Sequence, residues 1–187
     1  MGKIKRILIT GSNGQLGRSF RDQSKYFSNY NYFFADKKKL DISKFNTVKK
    51  FIEKNKINSI INCAAYTNVD KAEKYKSKAD LINHLSVSNL VKLCYKKNIQ
   101  LIQISTDYIF DGKKNSPYSE NDLAVPINFY GMTKYKAEQE MKKYKLKDSL
   151  IVRTSWLYSN YENNFLKKIL KKIKLNKPFF VVDDEIG

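Results

Sequence analysis

An apolar run, Ile4-Lys5-Arg6-Ile7-Leu8-Ile9-Thr10, passes at once into Gly11-Ser12-Asn13-Gly14-Gln15-Leu16-Gly17 and then into a helix-capable stretch through about Gln23. A short buried strand, a glycine turn and a helix, met in that order at the start of a chain, leave few folds open. Glycines at these intervals allow a tight turn, a close approach of backbone to a pyrophosphate, and close contact between helix and strand. The helix N-terminus adds amide hydrogens and the positive end of its dipole. The spacing is Gly-x-x-Gly-x-x-Gly rather than Gly-x-Gly-x-x-Gly. Its place between strand and helix is what predicts a dinucleotide-binding βαβ unit.

The rest of the chain keeps that alternation. Strand-like runs recur at Asn31–Ala35, Ser59–Cys63, Leu101–Ser105, Ser149–Val152 and Phe179–Val182. Between them Phe45–Asn55, Lys71–Lys97 (as one helix or two), Tyr130–Tyr144 and Asn163–Lys174 read as helices, with Val48, Phe51 and Ile52 forming the buried stripe of the first. The pattern predicts an α/β fold: a Rossmann-type doubly wound parallel sheet of about six strands with helices on both faces. At 187 residues the chain is expected to form one domain, 1–187. Residues 111–128, with Gly112, Pro117 and Pro126 among polar neighbours, read as a long loop beside the site.

An acidic residue at the end of the second strand suits ribose hydroxyls, and Asp36 stands there. Lys37, Lys38 and Lys39 follow directly and suit a 2′-phosphate equally, so NADH and NADPH both stay open. Further on, Tyr130-Gly131-Met132-Thr133-Lys134 follows Ser105-Thr106-Asp107-Tyr108. On a helix Tyr130 and Lys134 lie one turn apart on one face. A nearby ammonium stabilises a phenolate, and so is expected to draw a tyrosine pKa of about 10 toward neutrality, where the phenol exchanges protons.

Together these pieces resemble the extended short-chain dehydrogenase/reductase superfamily and, within it, the dTDP-4-dehydrorhamnose reductase family. The resemblance runs through Thr10–Gly17, Leu40-Asp41-Ile42, Asn62–Glu73, Ser105–Gly112 and Arg153-Thr154-Ser155-Trp156-Leu157-Tyr158, and covers essentially the whole chain. It implies that Gly11, Asn13, Gly14, Gln15, Leu16 and Gly17 cradle the cofactor phosphates, that Asp36 holds a ribose, and that Asp41 and Ile42 meet the adenine. Ala64, Ala65, Tyr66 and Thr67 would lie beneath the nicotinamide, and Lys134 would hydrogen-bond its ribose beside Tyr130. Tyr130 would give a proton to a sugar 4-keto oxygen that Thr106 polarises, with Val69, Asp107, Tyr108 and Trp156 near the sugar or base. Asn83 falls where related enzymes organise an active-site water, although its helical spacing fits a solvent-facing residue equally. His84 is given no catalytic part, and no metal cluster is evident.

The activity implied is reduction of dTDP-4-dehydro-β-L-rhamnose to dTDP-L-rhamnose with hydride from NADPH or NADH, in surface polysaccharide synthesis, with a nucleotide sugar as partner and a homodimer as the assembly to look for. Two other readings stay open. An epimerase or dehydratase of the superfamily keeps the same Thr or Ser, Tyr and Lys but recycles its nicotinamide. A non-catalytic nucleotide-binding subunit is similar to this family too, as in methionine adenosyltransferase. The Ser105–Gly112 and Arg153–Tyr158 segments favour the reductase, and an intact Thr106, Tyr130 and Lys134 argues against a decayed site. Family members continue well past the segment matched by Val181–Gly187, so most of a smaller C-terminal substrate lobe is expected to be missing.

The net charge of +18 would ordinarily raise nucleic-acid binding. Lysine outnumbers arginine 32 to 4, and Asn, Ile and Tyr are abundant, a bias shared by AT-rich codons. The lysines are spread along helices with no basic arm, so no nucleic-acid partner is expected. No apolar run approaches the ~18 residues a membrane span needs, and no apolar signal core precedes the first strand; a cytoplasmic setting is expected. Cys63 and Cys94 lack metal-ligand spacing and read as buried, reduced thiols.

Overall fold

The computed structural model describes residues 5–162, 164–176, 178 and 180. Strands β1 (Arg6–Thr10), β2 (Asn31–Ala35), β3 (Ser59–Asn62), β4 (Gln100–Thr106) and β5 (Leu150–Thr154) form one parallel sheet in the order β2-β1-β3-β4-β5. Helices α1 (Gln15–Gln23), α2 (Phe45–Lys54), α3 (Val69–Lys74), α4 (Lys76–Asp80), α5 (Ser86–Lys97), α6 (Phe129–Tyr144) and α7 (Phe165–Lys174) follow the strands. Five strands stand where about six were expected, because the run 179–182 lies, Phe180 apart, outside the described residues.

Alternation along each strand sorts the core onto two faces. Leu8, Ile60 and Leu101 point to one, where Val48 and Ile52 of α2, Val87, Val91 and Cys94 of α5, and Ala137 and Met141 of α6 cover them. Ile7, Ile9 and Ile61 point to the other and pack with Phe20 of α1, Phe34 and Ile102. Burial of each such side chain is worth roughly 1.5–3 kcal/mol, which makes a slip of register by one residue prohibitive. Amphipathic α7 has no fully buried residue.

The stretch expected as one or two helices is broken more finely. Tyr75 leaves helical geometry (φ −110°, ψ 50°) between α3 and α4, and residues Leu81–Leu85 form a π-helical turn before α5. Such turns often mark functional positions. This one carries Asn83, which is buried and holds both backbone polar groups of Tyr66: Asn83 Oδ1 accepts from Tyr66 N at 2.7 Å and its amide donates to Tyr66 O at 3.0 Å. Its amide also donates to Thr133 Oγ1 at 3.1 Å. The solvent-facing reading of Asn83 is therefore excluded.

A second polar row crosses the sheet just below the strand ends. Thr10, Asn62 and Gln103 are register neighbours on β1, β3 and β4. The Thr10 hydroxyl donates to Asn62 Oδ1 at 2.5 Å, Asn62 Nδ2 to Gln103 Oε1 at 2.8 Å, and Gln103 Nε2 to Ile104 O at 2.8 Å. A satisfied buried chain of this kind fixes the ends of β1 and β3 against the middle of β4.

Candidate active site

Strand succession reverses between β1 and β3, and in open parallel sheets a crevice opens at the carboxyl ends of such a pair. Here it is a cleft of ≈ 940 Å³, floored by the residues after β1, β3 and β4 and walled by α6 and the segment after β5.

Gly11 makes the first turn possible. Its φ is +60°, and a Cβ would lie 2.7 Å from Ala64 N, so both conformation and the neighbouring backbone exclude a side chain. The next element, α1, opens with Gly14 at its N-cap and has neither a side-chain cap nor an acidic residue in its first turn. Of the other helices, α3, α6 and α7 are capped by Asn68, Asn128 and Asn164, whereas α2, α4 and α5 lack a side-chain cap as α1 does. The open end of α1 faces the cleft, as an anion requires. At the end of β2, Asp36 Oδ2 accepts from Asn13 Nδ2 at 2.6 Å and Oδ1 accepts from Lys39 N at 2.8 Å, which locks the loop Lys37–Leu40. Asp41 accepts from Ser43 N and Oγ; although burial alone would raise its pKa, those bonds and Lys37 and Lys44 hold it below the ordinary carboxylate value.

The reactive end lies across the cleft. Asn128 caps α6 by accepting from Gly131 N at 2.7 Å, and a Cβ on Gly131 would lie 2.0 Å from Tyr108 O, so helix and turn meet backbone to backbone. That contact sets Tyr130 against the β4 end, with its ring edge-on to Tyr108 at 5.9 Å. Thr106 Oγ1 donates to Asp107 Oδ1 at 2.9 Å and accepts from Tyr108 N at 3.2 Å. Burial raises the Tyr130 pKa above its ordinary value, opposed by a hydrogen bond with the Thr106 hydroxyl and reinforced by Asp107. The expected depression of the phenol by Lys134 is thus corrected: in this state the phenol holds its proton.

Lys134 is itself only 4% exposed, and its Nζ donates to Ile104 O at 2.5 Å. Burial pulls its pKa down to about 8, against the opposing pull of Glu138. An ammonium has three donors, and with one held by Ile104 the others remain for a group in the cleft.

Every residue expected at the site lines this one cleft except Tyr66, whose backbone is held by Asn83 and whose ring lies 5.7 Å from Lys78 Nζ. Val69, Asp107, Tyr108 and Trp156 line it as well, following β3, β4 and β5, whereas Asp36 and Asp41 follow β2. Trp156 takes a left-handed backbone (φ 50°), a conformation costing such a residue about 1–2 kcal/mol. Its ring packs edge-on against Phe165 at 5.2 Å, and the next carbonyl, Leu157 O, accepts from Gln15 Nε2 at 2.8 Å. Gln15 Oε1 in turn accepts from Asn164 Nδ2 at 2.9 Å. The wall containing Ser155, Tyr158, Glu162 and Asn164 was not anticipated. Asn164 caps α7, one position inside the helix expected from Asn163, and its contact with Gln15 spans most of the chain. His84 pairs with Asp80 at 3.0 Å on the helix. Among the described residues no cluster suits a metal ion and no helix is long and apolar enough to cross a membrane.

Residues 5–187 match the family model described as the RmlD substrate binding domain. The chain is 40% identical over 184 residues, 98% of its own length and 62% of the other, to a dTDP-4-dehydrorhamnose reductase of Aggregatibacter actinomycetemcomitans. It is 36% identical to a dTDP-4-keto-6-deoxy-D-glucose reductase of Streptomyces niveus, covering 97% of this chain and 63% of that protein. The crystal structure of dTDP-4-dehydrorhamnose reductase from Bacillus anthracis in complex with NADP superposes with a TM-score of 0.87 at 39% identity, over 92% of this chain and 60% of that one. The chain spans about three fifths of the length of these relatives.

Proposed function

Because the chain belongs to the dTDP-4-dehydrorhamnose reductase family, we propose that it carries the cofactor-binding and proton-transfer residues for reduction of dTDP-4-dehydro-β-L-rhamnose to dTDP-L-rhamnose by NADPH or NADH. The observation that carries this is the meeting of an uncapped α1 N-terminus with Thr106, Tyr130 and Lys134 in one cleft. The residues present fit a dinucleotide: Gly11 leaves backbone exposed to close approach, and the α1 amides meet an anion without a competing carboxylate in the first turn. Gly11, Asn13, Gly14, Gln15, Leu16 and Gly17 would hold the phosphates, Asp36 a ribose, Asp41 and Ile42 the adenine, and Ala64, Ala65 and Thr67 the nicotinamide. When bound, the reduced nicotinamide supplies the hydride.

This chain's own groups do the rest. Tyr130 keeps its proton at neutral pH and lies beside Thr106, so it is the acid for a carbonyl oxygen that gains charge. Thr106 orients that oxygen. Lys134 holds the ribose and balances charge on the phenol once its proton has left. Val69, Asp107, Tyr108 and Trp156 contact the sugar nucleotide. Residues 1–187 are read as the dinucleotide-binding domain with the first substrate-binding segments. A cytoplasmic setting and a homodimer belong to the same reading; sedimentation showing only monomer at micromolar concentration would remove the second.

Reduced dinucleotide is expected to stabilise the folded chain by about 2.7 kcal/mol at a hundredfold excess over its dissociation constant. A melting temperature indifferent to both NADPH and NADH would end the reductase reading. Asp36→Ala is expected to weaken NADH more than NADPH, since Lys37 beside it still serves a 2′-phosphate. Equal losses would remove the ribose role.

Affinity is also expected to depend on pH through Lys134. Its folded pKa is lowered to about 8, so the ammonium contact is complete below that pH and is lost as pH rises through it. Fluorescence titration of NADPH should show wild-type affinity falling on the alkaline side, and a weaker, flat profile in Lys134→Met. Parallel profiles in the two proteins would contradict the assignment.

A further inference from the structure

Glu138 lies one helical turn beyond Lys134 on α6, and its side chain is wholly buried, although the reaction described above makes no use of it. A carboxylate is retained in an interior only where donors meet it. Its Oε1 accepts from the Ser105 hydroxyl at 2.6 Å and from Arg153 Nε at 3.1 Å, and its Oε2 accepts from Arg153 Nη2 at 2.7 Å. Ser105 and Arg153 are register partners on β4 and β5, one position before Thr106 and Thr154. The carboxylate thus joins α6 to two strands at the point where Thr106 enters the cleft. Arg153 continues the tie to the loop above: Nη1 donates to Glu120 O at 3.1 Å, and the guanidinium lies 5.3 Å from the centre of the Phe110 ring.

We propose that Glu138, held by Arg153 and Ser105, is a positioning residue that keeps Lys134 charged and aligned in the cleft. The proposal rests on the reading of Lys134 as the working cation. Positions four apart on a helix face each other, and away from water a charge one turn off is felt strongly. The other groups around the ammonium do not replace it. Tyr130 holds its proton, and the Cys63 thiol is pushed up to about 12 by burial, so both are neutral at physiological pH. The Asp107 carboxylate is turned to the Thr106 hydroxyl and Tyr108 N. Arg153 donates to both carboxylate oxygens of Glu138.

The test is the titration of Lys134 itself, followed by NMR of protein carrying 13C at the lysine ε-carbon. Loss of the signal in Lys134→Met identifies the resonance. Wild type should titrate at about 8. Glu138→Gln keeps size and a carbonyl acceptor but removes the charge, and its midpoint should fall by about one unit or more. The double variant Glu138→Gln/Arg153→Met leaves no bare guanidinium and so guards against misfolding; its midpoint should also lie below wild type. A midpoint unchanged in either folded variant overturns the proposal, since a purely structural residue would leave it in place. The measurement needs no cofactor. A protein that fails to bind dinucleotide yet shows the fall would sink the reductase reading and leave the role of Glu138 standing.

Discussion

In a chain spanning the full length of its relatives, Tyr130→Phe is expected to bind NADPH within about twofold of wild type and to lose about 10²–10⁴-fold in turnover of the 4-keto sugar nucleotide, the usual worth of a positioned general acid. The change removes one oxygen and leaves the ring against Tyr108, so α6 and the cleft keep their shape. What disappears is the proton that burial holds on the phenol. Absorbance of NADPH with the dTDP-4-keto-6-deoxy sugar reports turnover, and fluorescence titration reports binding. Undiminished turnover in Tyr130→Phe would show the mechanism wrong, and a matching loss of cofactor affinity would show the oxygen working in binding instead.

Gly131→Ala is expected to be nearly as harmful through geometry alone. The new Cβ would lie 2.0 Å from Tyr108 O, and both atoms belong to backbone, so the α6 N-terminus must move off the β4 turn. Overpacking of this kind costs about 1–3 kcal/mol, which for a chain of this size is roughly 2–12 °C in Tm. Tyr130 and Lys134 move with the helix, and a displacement of about 1 Å can lower rate 10²-fold. Gly112→Ala is the control, because Gly112 has φ +73° with nothing within 4 Å of a Cβ. It should lose about 1–2 kcal/mol from its left-handed backbone and keep its turnover. Wild-type Tm and activity in Gly131→Ala would mean that the helix start tolerates what the structure forbids.

Much of this arrangement is legible along the chain because it is local. Arg6–Thr10 forms the first strand, the glycine turn follows it, and α1 ends at Gln23 where the helix-capable stretch ends. The spacing of Tyr130 and Lys134 puts them on one helix, expected from Tyr130 and found from Phe129. Strand and helix periods, glycine turns and caps involve residues within a few positions of one another, and those preferences act before any tertiary contact forms.

Other features could be decided only by residues far apart in sequence. The π-helical turn at Leu81–Leu85 carries Asn83, which meets Tyr66 and Thr133, contacts that no helical period contains. The proton state of Tyr130 followed burial instead of the ammonium one turn away, because desolvation is set by everything packed around the group. Glu138 has no sequence signal of burial; β4 and β5 bring Ser105 and Arg153 to its two oxygens. The wall after β5 exists because Gln15 reaches Leu157 and Asn164 across the cleft mouth. The sequence by itself determined the order of strands and helices, the turn that suits a pyrophosphate and the pairing of phenol with ammonium. Which charges are buried, which protons are held and which distant loop closes the cleft were decided by packing, since desolvation and long-range hydrogen bonds have no value until the sheet has brought their partners together.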